Sequence, residues 1–277
     1  MPYTAEISRK SPSCFVFLID QSGSMSDSLA GEPGKRKADK VADSINRLLQ
    51  NLVIKCTKSE GVRDFFEVAV IGYGAKVGPA FSGKLAGSTL VPMSQIASSA
   101  RIEPRTKKVD DQAGGLVEQT INFQVWFDAV ASGGTPMCEA FNQTHNLLED
   151  WVSHHSSSYP PIVINITDGE ATDGDPTPVA QSVTSLTTSD GNVLLLNCHI
   201  SASPASPIAY PESDNGLSDE FARLLFRMSS VLPENIRAAA RSEGMAVGDQ
   251  ARGFVFNADL EALIRFLDIG TRPSNLR

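Results

Sequence analysis

The amino-acid sequence predicts an α/β fold: a doubly wound, Rossmann-like, mostly parallel sheet with helices on both faces. Continuous apolar runs recur along the chain, as is typical of strands that are buried on both faces of a parallel sheet. Segments with apolar residues at helical spacing lie between these runs. The alternation of the two patterns favours a doubly wound sheet over other arrangements.

Several segments have the composition of strands. The first, SCFVFLID, and a later one, PPIVINITD, are both apolar and both end in an acidic residue. FFEVAVIGY is rich in β-branched and aromatic residues, and GNVLLLNCHIS is a further apolar run. In chain order the expected strands are Ser13–Asp20, 65–73, 116–127, 160–168, 191–201 and 253–256.

Other segments are predicted to be helical. Between residues 38 and 52, apolar side chains recur with the i, i+3, i+4, i+7 spacing of an amphipathic helix. A helix over 136–151 would have Pro136 in its first turn, where the missing N–H group costs nothing. The remaining predicted helices are 178–186, 217–228 and 258–267.

The chain is expected to form a single domain over residues 1–277, with an irregular insertion at about 74–117. This stretch is rich in Gly, Ser, Pro and charged residues and shows neither period clearly. Because long loops on a rigid scaffold often carry function, we expect the insertion to contribute to the choice of partner.

Composition excludes several classes of protein. The chain has 24 Lys and Arg against 32 Asp and Glu, a formal net charge of −8, whereas nucleic-acid binders usually have a basic surplus. No apolar run approaches the roughly 20 residues of a membrane-spanning helix, and the start, MPYTAEISRK, has no signal-peptide pattern. The four scattered cysteines are expected to be free thiols. We therefore expect a cytoplasmic protein with neither a nucleic-acid nor a membrane partner.

Three polar segments follow or precede the predicted core elements. Asp20-Gln21-Ser22-Gly23-Ser24 follows the first strand, and Asp168-Gly169 ends the segment PPIVINITD. Between them, Ser132-Gly133-Gly134-Thr135 places a hydroxyl at the start of a predicted helix. Because ligands of doubly wound sheets bind at the carboxyl ends of strands, we expect all three segments at one edge. Their carboxylates and hydroxyls are hard oxygen donors, which suit Mg²⁺, Mn²⁺ or Ca²⁺.

These segments resemble a known family. DQSGS matches the D-x-S-x-S of the von Willebrand factor A (vWA) domain, GGTPM resembles its metal-binding Thr loop, and ITDGEATDG resembles its fourth-strand Asp loop. Together the three form that family's metal-ion-dependent adhesion site (MIDAS). The resemblance implies the vWA fold, no catalytic residue, and one set of metal ligands: Asp20, Ser22, Ser24, Thr135 and Asp168.

The resemblance also implies a function. In a MIDAS, Mg²⁺ coordinates an acidic residue of a partner protein, so we expect a partner that presents Asp or Glu. The chain is most similar to bacterial intracellular vWA proteins of tellurium-resistance type, some of which act with a protein kinase and a phosphatase. This places the expected partners in a bacterial signalling or stress-response system.

Two other functions are compatible with the same residues. One is a Mg²⁺-dependent phosphatase-like enzyme of the haloacid-dehalogenase type, and the other is a scaffold that the metal merely stabilises. Such phosphatases need D-x-D, in which the first Asp is the nucleophile and the second is the acid and base. Ser22 occupies the second position here, so we expect no enzymatic activity.

Nearby charged and glycine-rich segments have simpler interpretations. Glu170, Asp173 and Asp175 are expected to form a solvated acidic loop. The segment 35–37, KRK, is expected to be a solvated basic turn near the metal edge, or else a contact for an acidic partner. GYGAKVG lacks the spacing of a phosphate-binding loop and is given no functional role.

Overall fold

The computed structural model contains the predicted alternation of strands and helices, and it describes residues 2–28, 34–110, 116–200, 207–217, 219–258 and 260–270. The strands are β1 (Ser13–Asp20), β2 (Thr57–Lys58), β3 (Gly61–Val62), β4 (Phe66–Tyr73), β5 (Val77–Pro79), β6 (Val91–Pro92), β7 (Arg101–Asp110), β8 (Leu116–Val125), β9 (Ile162–Thr167), β10 (Thr187–Thr188), β11 (Gly191–Asn192), β12 (Leu194–Ile200), β13 (Ile208–Ala209) and β14 (Phe254–Ala258). The helices are α1 (Lys37–Cys56), α2 (Met93–Ser98), α3 (Met137–His154), α4 (Thr177–Ser185), α5 (Glu220–Met228), α6 (Glu234–Ser242) and α7 (Leu260–Gly270).

The main sheet has the strand order β13-β14-β12-β9-β1-β4-β5, and β6 also pairs with β4. β1 runs parallel to both β4 and β9, and β12 runs parallel to both β9 and β14. The short strands β5, β6 and β13 are antiparallel to their neighbours. The chain winds outward from β1 to β4 and then returns as β9 on the other side of β1. This reversal confirms the doubly wound, mostly parallel α/β fold.

Side chains of β1 show how the sheet is covered on both faces. All eight residues of β1 are buried. Phe15, Phe17 and Ile19 pack into one apolar cluster with side chains of α1, α6 and α7. Val16 and Leu18 point to the opposite face, where they pack with side chains of α3, α4 and α5. The expected helices on both faces are therefore present.

The predicted helices are all present within a few residues of their expected bounds, whereas α2 and α6 were not predicted. α2 lies within the expected insertion. The sequence of α6, ENIRAAARS, buries only Ile236 and Ala240, so the apolar stripe is too short to recognise. The four cysteines are free, as expected, and Cys138 is less buried than the other three. Among the described residues, no helix combines the length and the apolar character that crossing a bilayer requires.

The segment 74–117 is more regular than the irregular insertion that we expected. It contains β5, β6, α2 and β7, and β7 pairs with β8 over ten residue pairs to form a long hairpin. The sequence of β7, RIEPRTKKVD, is largely charged, and its residues 101–106 are exposed or half-buried, so the strand pattern is hidden. Residues 111–115 of this segment lie outside the described residues, as do residues 29–33 of the glycine-rich loop after β1.

The base of the β7–β8 hairpin is anchored on α1. The Arg105 guanidinium lies 2.6 Å from the Asp43 carboxylate of α1 and 3.8 Å from the centroid of the Phe123 ring. The buried Asn46 side chain of α1 donates a hydrogen bond of 2.8 Å to the Phe127 carbonyl just after the hairpin. These contacts fix the root of the hairpin to the helix that starts at the sheet edge.

A chain of buried polar side chains crosses the middle of the sheet. The Tyr73 hydroxyl donates to Asn165 Oδ1 at 2.7 Å, and Asn165 Nδ2 donates to Asn197 Oδ1 at 2.9 Å. Asn197 Nδ2 in turn donates to Ser229 Oγ, at the end of α5, at 2.9 Å. Each polar group finds a partner inside the core, as burial requires. The chain therefore ties β4, β9, β12 and α5 together.

Asn197→Ala should lower the free energy of unfolding by about 1–3 kcal/mol, because it leaves the buried Nδ2 of Asn165 without a partner and removes the bond from Asn197 Nδ2 to Ser229 Oγ. Urea denaturation of the whole chain measures this loss. The control is Asn192→Ala, since Asn192 is exposed and its side chain makes one bond, to the Thr184 carbonyl. That change should stay within about 0.5 kcal/mol, and equal losses for the two variants would contradict the role of the buried chain.

Candidate metal centre

The candidate site lies where the winding of the sheet reverses. Asp20 is the last residue of β1, and Asp168 directly follows β9, the parallel neighbour of β1. In open α/β sheets, ligands bind in the crevice outside the carboxyl ends of strands at such a switch point. The expected meeting of these two aspartates at one edge is present in the structure.

Asp20 is buried, with 1% of its surface exposed. Its Oδ1 accepts the Ser22 backbone N–H at 2.8 Å, and its Oδ2 accepts the Thr167 hydroxyl at 2.7 Å. Burial raises the pKa of Asp20 above its usual range and the nearby Asp168 carboxylate adds to the shift, while the hydrogen bonds from Ser22 and Thr167 oppose it. The site therefore favours a cation beside this carboxylate.

Asp168 is held through both of its oxygens. The Ser24 hydroxyl donates to Oδ1 at 2.7 Å, and the oxygens of Ser24 and Ser22 lie 3.0 Å apart. Lys37 Nζ donates to Oδ2 at 2.8 Å, and the two side chains of this ion pair are 7% and 1% exposed. The expectation that Lys37 belongs to a solvated basic turn is wrong, because its side chain turns inward onto this carboxylate.

Thr135 sits in a loop that is tied to the segment after Asp168. Its backbone N–H donates to the Thr172 hydroxyl, and the Thr172 N–H donates to the Thr135 carbonyl, both at 2.9 Å. Thr135 is 6% exposed, and within the described part of the chain its hydroxyl has no hydrogen-bond partner. This hydroxyl is therefore available to a ligand.

Asp173 has a structural role that the sequence did not reveal. Its carboxylate accepts the backbone N–H groups of Cys138 and Glu139 at 3.1 and 3.0 Å and so caps the start of α3. Asp175 is exposed and accepts the Thr177 N–H at the start of α4, which lowers the pKa of its carboxyl. The loop after β9 is thus acidic because it caps two helices, while Glu170 is exposed, as expected.

Backbone hydrogen bonds join the remaining edge loops. The Gly23 N–H donates to the Gly133 carbonyl at 3.0 Å, and the Ser132 N–H donates to the Gln21 carbonyl at 2.6 Å. The Ala75 N–H donates to the Ser132 carbonyl at 2.8 Å. Loops that follow β1 and β4 and the loop before α3 therefore form one hydrogen-bonded rim.

Glycines allow this close approach. A Cβ on Gly74 would lie 2.6 Å from the Gln21 carbonyl oxygen and 2.7 Å from that of Ser132. Gly133 has a φ of +86°, and a Cβ there would lie 2.4 Å from the Ala75 nitrogen. Gly74 of the segment GYGAKVG therefore serves the packing of the rim.

The donor set fits a hard divalent cation by its chemistry. Every candidate ligand offers oxygen, and an octahedral ion with bonds of about 2.0–2.1 Å places adjacent ligand oxygens about 2.9 Å apart. The oxygen separations of 2.7 and 3.0 Å along Asp168, Ser24 and Ser22 are close to this value. The described residues contain no group of three or more His, Cys, Asp or Glu arranged to hold a metal. Hydroxyl oxygens would therefore have to complete the coordination shell of the ion. Such ligands suit hard cations, whereas soft metals prefer sulfur and imidazole ligands.

Sequence reasoning missed three polar residues at this edge. Thr167 and Lys37 bond the two aspartates, as described above, and His199 lies at the end of β12 beside Thr167. The buried His199 ring stacks on Phe256, and burial lowers its pKa, while Asp219, 3.9 Å away, opposes that shift. Thr167 ends β9 and His199 lies one residue before the end of β12, so both were identifiable as polar residues near the ends of largely apolar strands. Lys37 carries no such signal.

Comparisons with known proteins do not identify a family for this chain. No protein-family model matches the chain, and no curated protein sequence matches it. Solved structures that resemble part of it include two of the protein Mfa5 and one of the adhesin RrgA. The three N-terminal domains of the type V pili tip protein Mfa5 from Porphyromonas gingivalis align with 16% identity and a TM-score of 0.33, over 58% of this chain and 20% of that one.

The vWF domain of the same Mfa5 protein aligns with 15% identity and a TM-score of 0.32, over 58% of this chain and 39% of that one. The pilus adhesin RrgA from Streptococcus pneumoniae aligns with 15% identity and a TM-score of 0.29, over 61% of this chain and 22% of that one. Each alignment thus covers less than half of the solved chain. At TM-scores this low the likeness supports no conclusion about this protein, whose fold follows from its own strand order.

Gly74→Ala should destabilise the rim, because the new Cβ would meet two backbone carbonyl oxygens that other hydrogen bonds hold in place. We expect a loss of about 1–3 kcal/mol in the free energy of unfolding, measured by urea denaturation. Gly169→Ala is the matched control, since a Cβ at Gly169 meets no atom within 4 Å. If Gly74→Ala were as stable as the control, the proposed packing of the rim would be wrong.

Proposed function

We propose that this protein is a metal-ion-dependent protein-binding module. The sheet edge at Asp20 and Asp168 would hold Mg²⁺, or Mn²⁺ or Ca²⁺ in its place, and would bind an acidic side chain of a partner protein. The residues that would hold the ion are Asp20, Ser22, Ser24, Thr135 and Asp168, the set that the resemblance to vWA domains implies.

One observation carries this proposal. The oxygens of Asp168, Ser24 and Ser22 form a connected row with spacings of 2.7 and 3.0 Å, beside the buried carboxylate of Asp20. The Thr135 hydroxyl, without a hydrogen-bond partner in the described part of the chain, is available to extend the row. A divalent cation bound there would offer an open coordination position to an outside carboxylate.

The partner that we propose is a protein that presents Asp or Glu. The resemblance to intracellular vWA proteins of tellurium-resistance type suggests a bacterial cytoplasmic signalling or stress-response system with a kinase and a phosphatase. The β7–β8 hairpin is the surface that we propose for partner selection, because residues 117–120 of β8 are exposed and Arg105 of β7 is paired with Asp43 of α1.

We propose binding rather than catalysis at this edge. Both oxygens of Asp20 accept hydrogen bonds, one from the Ser22 backbone and one from the Thr167 hydroxyl. The position where a haloacid-dehalogenase-type phosphatase has its acid and base is Ser22, whose hydroxyl is a poor proton carrier near neutral pH. These two features support a carboxylate that positions a ligand and does not attack one.

Asp20→Asn should abolish stabilisation by Mg²⁺, because it removes one of the two buried negative charges of the site with little change in the size of the side chain. At a Mg²⁺ concentration 100 times the dissociation constant, the wild-type protein should gain about 2.7 kcal/mol of stability. Denaturant unfolding with Mg²⁺ and with EDTA measures the gain. Glu170→Gln, a change at an exposed acid of the same edge, should keep it. A gain that persists in Asp20→Asn would refute the site.

Partner capture should require both the metal and Asp20. Wild-type, Asp20→Asn and Glu170→Gln baits, each with Mg²⁺ and with EDTA, would be used to pull down proteins from the native lysate for mass spectrometry. We expect a protein that is captured by the wild-type and Glu170→Gln baits with Mg²⁺. The same protein should be lost with EDTA and with the Asp20→Asn bait. A further bait, with residues 107–118 replaced by a two-residue turn, should lose that protein if the hairpin selects it. An identical set of proteins in all arms would contradict metal-dependent binding.

A further inference from the structure

Lys37 is a buried cation at the centre of the candidate site. It is the first residue of α1, and its backbone N–H donates to the Asp27 carbonyl at 2.8 Å, which joins the helix start to the loop that carries Ser22 and Ser24. Its side chain is 7% exposed, and Nζ lies 2.8 Å from Asp168 Oδ2 and 3.9 Å from Asp27 Oδ2. The ammonium therefore faces the site and not the solvent.

This location is unfavourable for an ammonium that lacks a counter-charge. The N-terminus of a helix carries a positive partial charge from its unpaired N–H groups, which repels a cation. Burial adds a cost, because it removes the water that would solvate the charge. The Asp168 side chain, itself 1% exposed, is the group that offsets both costs. Lys37 and Asp168 are therefore best understood as one unit.

The pair has a direct consequence for cation binding. One oxygen of Asp168 accepts from Ser24, whose hydroxyl touches that of Ser22, and the other oxygen accepts from Lys37. The Asp168 carboxylate thus separates the Lys37 ammonium from the hydroxyls of Ser24 and Ser22. Charges that are shielded from solvent interact strongly, because neither water nor salt screens them effectively. A divalent cation among these donors would be repelled by Lys37.

We infer that Lys37 is a positioning residue that holds Asp168 by one oxygen and keeps the affinity of the site for divalent cations low. The inference rests on the proposed metal site and adds a property to it. Because the buried ammonium supplies part of the positive charge that the two carboxylates need, the ion alone binds weakly. A partner carboxylate would add the missing negative charge, so ion and partner strengthen each other's binding.

The test is a calorimetric titration of the whole chain with Mg²⁺ at fixed pH and ionic strength. Lys37→Met should bind Mg²⁺ at least about tenfold more tightly than wild type, since it removes one nearby positive charge. Lys37→Arg keeps the charge and should bind as weakly as wild type. Lys35→Met is the matched control, because Lys35 is exposed two residues away, and it should change the affinity less than about twofold.

Lys37→Met leaves the buried Asp168 carboxylate without its ion pair. The change is therefore also made in a chain that carries Asp168→Asn, and this double variant is compared with Asp168→Asn alone. The double variant has a neutral pair in place of two charges, which avoids an unpaired buried charge. It should bind Mg²⁺ about tenfold more tightly than Asp168→Asn alone, since the lysine again repels the ion in the single variant. A lysine with only a structural role predicts the opposite direction, because its removal would disorder the donors and weaken binding.

The outcomes separate this inference from the proposed function. If wild type binds Mg²⁺ and removal of Lys37 leaves the affinity equal or lower in both backgrounds, the inference is overturned and the proposed metal site stands. If none of the variants, with or without the lysine, binds Mg²⁺, both are overturned. Tighter binding in both backgrounds, with Lys37→Arg like wild type, supports the inference.

Discussion

The burial of two carboxylates at one end of the sheet is the constraint on which the rest of the site depends. Asp20 and the side chain of Asp168 are each 1% exposed. A carboxylate removed from water is costly unless donors or a counter-charge surround it. The edge loops and the start of α1 supply amide, hydroxyl and ammonium donors to both, and the close backbone contacts of those loops allow the donors to reach. Gly74 and Gly133 allow the edge loops to approach each other closely enough for these contacts.

Much of the fold could be predicted from the sequence because its central strands are buried on both faces. SCFVFLID and IVINIT are apolar over most of their length, with Asn165 as the polar residue inside IVINIT, so their pattern is that of buried strands. The β7–β8 hairpin could not be predicted in full, because RIEPRTKKVD is largely charged and keeps little apolar alternation. α6 escaped notice for a related reason, since it buries two residues only.

The sequence predicted that strand ends bring the two aspartates together, but it did not reveal Thr167, His199 or Lys37 as their neighbours. Asp20 and Asp168 follow neighbouring parallel strands, so their proximity follows from topology alone. Lys37 is 131 residues from Asp168 in the chain, and nothing in KRK distinguishes the lysine that turns inward from its exposed neighbours. Which of these basic residues faces the site depends on how the loop after β1 leads into α1. That path is set by tertiary packing and not by the local sequence.

Helix α1 contacts both the candidate metal site and the β7–β8 hairpin. Its first residue, Lys37, is paired with Asp168, while Asp43 and Asn46, two to three turns further on, hold the base of the β7–β8 hairpin. A helix of 20 residues is a rod about 30 Å long with little bending over a few turns. One helix therefore holds both the ammonium at the sheet edge and the base of the hairpin.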